Sequence, residues 1–254
     1  MTERMTVNED ILKMLKYLRL GGLIANWDAY LECARKGNYS HPRLLEYIIS
    51  EEYRIKKENA LKMRMRKAKI PEKMVMETYP FNRQPKLNRK KIMAMYDAFD
   101  YMTKCRNIIF IGPTGTGKTG LATAFLIHAI HQGHQGFFIT FPDLVEQLYQ
   151  SVADHTDSKL IRKLAACDCL LIDELGYVEV EPVQVGLFFT LMHKRHQHKT
   201  TLITSNLGFG KWGSFLKNNP LTAALIDRLT ENSYVINMKN CVSLRSRLDE
   251  IPES

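Results

Sequence analysis

One stretch of the sequence, 112-GPTGTGKT-119, has residue types and spacing suited to holding phosphate groups. Glycines let the backbone N–H groups of such a loop turn inward, where side chains would clash. It follows an apolar run of strand length and precedes a helical pattern, the context that this motif requires. The alternative, a glycine-rich turn beside an exposed lysine, does not explain that order. The stretch predicts an ATP-binding loop formed by Gly112, Pro113, Thr114, Gly115, Thr116, Gly117, Lys118 and Thr119.

Within this loop, Lys118 is expected to reach the β- and γ-phosphates, and the Thr119 hydroxyl is expected to bind Mg²⁺. The apolar run 170-LLI-172 ends in Asp173 and Glu174. Asp173 is suited to hold the magnesium ion, directly or through water. Glu174 could orient and activate the water that attacks the γ-phosphate. The alternative is a pair of helix-capping acids. Together with the loop, the acids predict ATP hydrolysis.

Two later residues could complete this chemistry. Asn206 follows another apolar run, and its amide could bind the γ-phosphate or the attacking water; a turn-forming asparagine is the alternative. Arg228 lies in the helical pattern 224-ALIDRL-229. It could enter a neighbouring subunit's site as an arginine finger. Its alternative is a surface pair with Asp227, which contributes little to stability. Glu174, Lys118, Asn206 and Arg228 are the predicted catalytic residues.

The elements that position these residues form two patterns. Residues 1–70 show helical periodicity, with a helix capped by Asn8, a break at Gly21 and Gly22, and a helix of about 30 residues ending before Pro71. Beyond residue 106, apolar runs alternate with helical stretches, which predicts a parallel five-stranded sheet in an α/β domain. The runs are 107–111, 136–141, 169–173, 200–205 and 234–238. The predicted domains are 1–70, a linker at 71–90, and an ATPase domain at 91–254.

The positive charge is concentrated before the phosphate loop. Residues 1–106 contain 23 Lys/Arg and 13 Asp/Glu, whereas residues 107–254 contain 13 and 14. A partner with negative charge, most simply DNA, would explain this asymmetry; a solvated basic helical domain is the alternative. No apolar run reaches the length of a membrane span, and five scattered cysteines do not indicate disulfides. The expectation is a cytoplasmic protein without a membrane partner.

Two basic segments are candidates for contacting DNA phosphates, which gives affinity without sequence specificity. The first, residues 54–69, contains eight Lys/Arg and one Glu, and the second, residues 158–163, contains three Lys/Arg. A solvated helix surface is the alternative for both. The candidate residues are Arg54, Lys56, Lys57, Lys62, Arg64, Arg66, Lys67, Lys69, Lys159, Arg162 and Lys163.

The order of the phosphate loop, the acidic pair, Asn206 and Arg228 resembles that of AAA+ ATPases. With the flanks KYLRLGGLIANWDAYL, LLIDELGY, TSNLGFGKWGSFL and TAALIDRL, the chain is similar over nearly its whole length to the IstB-like family, ATP-binding helpers of bacterial insertion sequences. This family is close to the DnaC helicase loader and the DnaA initiator. The resemblance implies an AAA+ domain behind a helical amino-terminal domain. It further implies ATP-dependent self-assembly on double-stranded DNA and a partner transposase.

By this resemblance, Asn206 is the sensor-1 residue and Arg228 acts in a neighbouring subunit of a homo-oligomer. The carboxyl-terminal helical lid of most AAA+ proteins is reduced or absent, since only residues 239–254 follow the last strand. Arg245 and Arg247 are candidates for contact with the γ-phosphate, with no basis for choosing between them. Two alternative functions remain open at this point: a DnaC-like helicase loader that acts mainly through protein contacts, and a small-molecule kinase.

Overall fold

The computed structural model describes residues 8–245, which form parts of two compact units, Met1–Met63 and Arg64–Ser254. The first unit is helical. Its helices are α1 (Glu9–Tyr17), α2 (Gly21–Ala25), α3 (Trp27–Lys36) and the greater part of α4 (His41–Lys67). The second unit is α/β, as predicted. The sequence-based domain limits, with a linker at 71–90, stay a proposal.

The helical unit is arranged around a small apolar cluster of Leu15, Leu23 and Tyr30. Asn8 caps α1 as predicted, because its Oδ1 accepts the N–H of Asp10 at 2.9 Å. The first helix is interrupted near the predicted break, because α1 ends at Tyr17 and a new helix, α2, begins at Gly21. A Cβ on Gly22 would lie 2.6 Å from Oε2 of Glu52 on α4. Glycine therefore allows the two helices to approach closely.

The α/β unit is built on a five-stranded sheet. Its strands are β1 (Asn107–Ile111), β2 (Gly136–Thr140), β3 (Cys169–Leu175), β4 (Thr200–Ser205) and β5 (Ser233–Asn237). All four strand pairings are parallel, in the spatial order β2-β3-β4-β1-β5. β1 and β4 are fully buried and β3 is buried except at Glu174, as apolar runs covered on both faces require. The predicted parallel sheet is confirmed.

Eight helices complete the described part of this unit. They are α5 (Arg89–Ala98), α6 (Asp100–Thr103), α7 (Lys118–His131), α8 (Phe141–Ala153), α9 (Asp157–Ala166), α10 (Pro182–Arg195), α11 (Trp212–Leu216) and α12 (Asn219–Thr230). The sequence pattern predicts one helix over residues 89–104. The chain instead divides it into α5 and α6, because Phe99 adopts a left-handed conformation with φ of 54°.

Residues 238–245, the described part of the chain after β5, contain no helix, and the predicted reduction of the lid stays a prediction. Among residues 8–245 there is also no helix that is both long and apolar enough to cross a lipid bilayer. The carboxyl ends of β1, β3 and β4 lie side by side in this topology. Ligands of parallel sheets bind at that edge. Of the predicted catalytic residues, Lys118 and Asn206 follow β1 and β4, Glu174 lies near the end of β3, and Arg228 lies on α12.

Candidate nucleotide site

The phosphate loop connects the end of β1 to the start of α7, as predicted. Gly115 and Gly117 have φ angles of +83° and +89°, a left-handed conformation that glycine adopts without strain. Gly112 is required for a different reason, because a Cβ there would lie 2.8 Å from backbone atoms of Met238. The loop therefore turns its backbone N–H groups next to the positive end of α7, an arrangement suited to anions.

Lys118 is 93% buried, and its Nζ donates to the Pro113 carbonyl oxygen at 2.8 Å. Burial lowers the pKa of Lys118, and the nearby Arg245 adds to this, while Asp173 favours the charged form. Within the described chain the ammonium group has no carboxylate in ion-pair contact. A phosphate oxygen could replace the neutral carbonyl and supply the missing negative charge.

Asp173 lies beside Thr119, as predicted. The Thr119 hydroxyl donates to both carboxylate oxygens, at 3.0 and 3.1 Å, and the Thr204 hydroxyl donates to Oδ1. Burial raises the pKa of Asp173, and the two hydroxyl groups oppose that shift. Sequence reasoning missed Thr204, although it lies two residues before the predicted Asn206. Its presence at the end of the neighbouring strand was the available signal.

The Thr119–Asp173 pair fits a magnesium ion. Mg²⁺ is commonly held by one or two protein oxygens, with phosphates and water completing its shell. The hydroxyl and carboxylate oxygens are adjacent here, and among residues 8–245 no group of three or more His, Cys, Asp or Glu side chains forms an alternative metal site. These two residues would hold the ion, which would neutralise phosphate charge when nucleotide is bound.

Glu174 lies at an irregularity of the sheet. The pairing of β3 with β4 shifts register between Ile172 and Leu175, and Glu174 has a φ of +62°. A left-handed conformation costs a non-glycine residue on the order of 1–2 kcal/mol. Its N–H donates to Oγ1 of Thr204 at 3.0 Å, which supports the turn. Within the described residues its carboxylate has no hydrogen bond or ion pair, so it is available to a water molecule.

Asn206 directly follows β4, and its Oδ1 is buried without a hydrogen-bond partner. This oxygen lies 3.6 Å from the point that a Cβ added to Gly176 would occupy. Gly176 lies on the turn after Glu174. A buried amide oxygen without a partner loses the hydrogen bond that water would give it, so such groups are rare and often serve ligands. The geometry fits the predicted contact with a water molecule.

The segment after β5 packs over the phosphate loop, a contact that sequence reasoning did not predict. The Leu244 N–H donates to the Gly115 carbonyl oxygen at 2.8 Å. Cδ of Arg245 lies 3.7 Å from the Cβ position of Gly115. Arg245 is therefore close to the site, as its candidate role requires. Arg247 lies outside the described residues.

Gln84 fixes this segment to the loop from within residues 71–90. Its Nε2 donates to the carbonyl oxygens of Thr116 at 3.0 Å and Val242 at 2.7 Å, and its Oε1 accepts the Val242 N–H at 3.1 Å. The side chain is 99% buried. Tyr79 lies nearby, with its hydroxyl 2.9 Å from the Cβ position of Gly117. No sequence motif marked either residue.

Tyr177 is a further residue that the motifs did not reveal. Its hydroxyl lies 2.9 Å from the Thr114 hydroxyl, which connects the phosphate loop to the turn after β3.

Arg228 lies away from the phosphate loop of its own chain. Its guanidinium donates to the Ala224 carbonyl oxygen at 3.1 Å and stacks on Phe189, with its central carbon 4.9 Å from the ring centroid. The described contacts of Arg228 thus lie between α12 and α10.

The candidate DNA-contacting residues have different surroundings. Arg54 donates to Glu51 at 2.7 Å and to Glu58 at 2.8 Å, so two carboxylates already neutralise its guanidinium. In the other unit, Lys69 and Lys163 lie over the same Phe137 ring, with Nζ 5.8 and 5.9 Å from its centroid.

Arg64 differs from the exposed lysines. It is only partly exposed, and its Nε is buried without a hydrogen-bond partner. Exposed positions are occupied by Lys56, Lys57, Lys62, Arg66, Lys67, Lys159 and Arg162. The structure thus brings together the ends of the two basic segments, Lys69 and Lys163, within the second unit.

Comparison with known structures supports the fold. The DnaC helicase loader matches with a TM-score of 0.51 and 22% identity, over 59% of this chain and 87% of that one. DnaA from Aquifex aeolicus, solved with a bound ATP analogue, matches with a TM-score of 0.55 and 16% identity, over 67% of this chain and 51% of that one. At these identities the likeness shows an AAA+ fold and no more.

Sequence comparison defines the family. An insertion-sequence IS5376 protein of Geobacillus stearothermophilus, named for ATP binding, is 30% identical over 233 residues, covering 92% of each chain. The corresponding IS21 protein of Pseudomonas aeruginosa is 27% identical over 226 residues, 89% of this chain and 85% of that one. Residues 13–250 match the family described as "IstB-like ATP binding protein". Because this match covers nearly the whole chain, the chain belongs to the family of IstB-like ATP-binding proteins.

Proposed function

We propose that the protein is an ATPase that assembles on double-stranded DNA and helps a partner transposase engage its target. The observation that carries the hydrolytic step is Glu174. Its carboxylate follows the Thr–Asp pair directly, has no protein partner among the described residues, and is held by a strained turn. A nearby carboxylate can orient and deprotonate water for attack on the γ-phosphate. Release of phosphate to water, rather than its transfer to an added nucleoside, would distinguish this reaction from that of a small-molecule kinase.

Each residue of the nucleotide site has a separate role. The loop amides and Lys118 bind the phosphates, Thr119 and Asp173 hold Mg²⁺, and Glu174 with Asn206 positions the attacking water. Arg228 acts in the site of an adjacent subunit. One feature supports that assignment: the described contacts of Arg228 lie away from its own phosphate loop. A homo-oligomer would therefore complete each site.

The DNA-binding step is supported by the excess of positive charge before residue 107 and by the position of Lys69 and Lys163 at the same Phe137 ring. Contacts with phosphates would give little sequence specificity. The transposase partner is supported by the family alone, whose relatives are named for insertion sequences. The proposed place of action is the bacterial cytoplasm.

Light scattering with duplex DNA tests the assembly. ATP and Mg²⁺ should convert the protein into large particles on DNA, and Lys118→Ala should abolish them because the buried cation that meets the phosphates is lost. Lys90→Ala, which removes an exposed charge outside the site, is the control. Protein that stays monomeric with ATP and DNA would overturn the assembly proposal.

A second candidate function, loading of a replicative helicase, is favoured by one observation, the similarity of the ATPase fold to the DnaC loader. Capture experiments with purified partners separate the two. Binding to a transposase but not to a replicative helicase supports the first function, and the reverse result supports the second.

A further inference from the structure

The two edge strands of the sheet, β2 and β5, differ in whether another segment of the second unit forms a hydrogen bond with them. At the β2 edge, the Phe138 N–H donates to the Ala68 carbonyl oxygen at 2.8 Å, so the chain after α4 covers part of that edge. At the β5 edge, Asn232 and Met238 pair with β1. By alternation, the backbone groups of Ser233, Val235 and Asn237 point away from the sheet.

Within residues 8–245, no other segment pairs with these outward-facing groups. Val235 is 46% exposed. A free strand edge is a template for pairing with another polypeptide, and proteins usually cover such an edge or place charges on it. The β5 edge is five residues long, and β1 is its one paired neighbour among residues 8–245, so it is long enough to accept an added strand.

A groove of about 550 Å³ runs between β5 and α5. Its volume is in the range of ligand-binding clefts. Ile92 and Met95 on α5 and Ile236 on β5 provide apolar walls, and the small side chains of Ala94 and Ala98 leave room above them. The groove thus offers apolar contacts beside unpaired backbone groups, a combination that suits an extended peptide.

The charge at the groove has one sign. Lys86 and Lys91 are exposed and line it, and its remaining lining residues include no aspartate or glutamate. Carboxylates of a bound segment would meet both lysines without repulsion from the groove. A DNA backbone would also be attracted to the lysines, and its phosphates can accept backbone N–H groups, but it offers no donors for the outward-facing carbonyl oxygens and no apolar side chains for Ile92, Met95 and Ile236.

We propose that the groove between α5 and β5 binds an extended, acidic segment of a partner protein, which adds a strand to the free edge of β5. Backbone hydrogen bonds to Ser233, Val235 and Asn237 would supply affinity, and Lys86 and Lys91 would select for carboxylates. This surface is separate from the phosphate loop and goes beyond the proposed ATPase function.

Peptide selection tests this proposal. A phage-displayed library of random twelve-residue peptides is selected on the full chain, and a synthetic peptide of the enriched sequence is titrated. The peptide should be acidic. Lys91→Glu should weaken its binding about tenfold, as expected for reversal of an interfacial charge pair. The matched control is Lys90→Glu, because Lys90 is also exposed on α5 but does not line the groove.

Nuclear magnetic resonance of the ¹⁵N-labelled full chain locates the contact. The peptide should shift the amide signals of Ser233, Val235 and Asn237 and slow their hydrogen exchange. The proposal is overturned if no peptide is enriched, if the enriched peptides lack carboxylates, or if Lys90→Glu and Lys91→Glu weaken binding equally. Displacement of the peptide by duplex DNA would instead assign the groove to nucleic acid.

Discussion

The phosphate loop and the basic segments 54–69 and 158–163 all contain positive side chains, but the protein constrains them very differently. Lys118 is 93% buried and held at one carbonyl oxygen, beside a Thr–Asp pair fixed by strands β3 and β4. Lys57 and Lys67 are exposed on α4, and Arg54 is occupied by two carboxylates of its own helix. A buried group has a geometry that specifies its ligand, whereas exposed charges provide only an attractive field.

The largest effect is expected at the end of β3. Glu174→Gln should lower the rate of ATP hydrolysis at least about 100-fold, the usual contribution of a general base. Binding of ATP should stay nearly unchanged, because glutamine has the same shape and the loop, Lys118 and Asp173 are untouched. Phosphate release measures the first quantity, and fluorescence of a labelled ATP analogue measures the second.

Glu179→Gln is the matched control, because it makes the same change at an exposed position a few residues later. If Glu174→Gln hydrolysed ATP at the original rate, the proposed base would be wrong. If it lost ATP binding instead, the carboxylate would have a role in holding the ion or the loop.

The second effect concerns the two basic segments, 54–69 and 158–163. Replacing both Lys69 and Lys163 by alanine should weaken binding to duplex DNA about 10- to 30-fold and reduce the slope of log affinity against log salt by about 1.8, the value for two lost phosphate contacts. Fluorescence anisotropy at several salt concentrations measures both. Lys90→Ala with Lys211→Ala removes the same charge from exposed positions outside the basic segments. Equal losses in the two pairs would mean that net charge alone attracts DNA.

A smaller effect is expected where Gln84 joins the loop to the segment after β5. Gln84→Ala leaves the Thr116 and Val242 carbonyl oxygens and the Val242 N–H without this partner. We expect ATP affinity to fall about fivefold, equivalent to the ~1 kcal/mol net worth of a typical hydrogen bond. The rate constant of hydrolysis should change less. Gln150→Ala, at an exposed intrahelical bond to Glu146, is the control.

If Gln150→Ala lowered ATP affinity by the same factor as Gln84→Ala, Gln84 would have no special role. Gln84→Glu sharpens the test, because it keeps the acceptor for the Val242 N–H but loses the donor to both carbonyl oxygens. Its carboxylate would also be buried against them. It should therefore not restore ATP affinity, whereas a purely space-filling role would allow recovery.

The sequence predicts well those parts that depend on local backbone chemistry. The glycines of the loop, the apolar runs of the strands and the Thr119–Asp173 contact follow from the motif and from the edge at which parallel strands meet. Gln84 and Tyr177 could not be predicted, because their contacts join positions far apart in the chain. The hydrogen bond from the Phe138 N–H to the Ala68 carbonyl oxygen, at the β2 edge, could not be predicted for the same reason. Such contacts depend on how connections cross the sheet, which no local pattern encodes.

The smallest effect should come from Arg54, the predicted DNA contact with the most local compensation. Its guanidinium is bound by Glu51 and Glu58, and both carboxylates raise the pKa of Arg54, so it remains charged but paired. Arg54→Ala should change DNA affinity less than about twofold, since exposed ion pairs contribute little and an already neutralised cation attracts phosphate weakly. Lys57→Ala, three residues further along α4 and exposed, should have the larger effect in the same anisotropy titration. If Arg54→Ala weakened binding more than Lys57→Ala, DNA would have to displace both glutamates, and local ion pairs would not protect a basic surface from its partner.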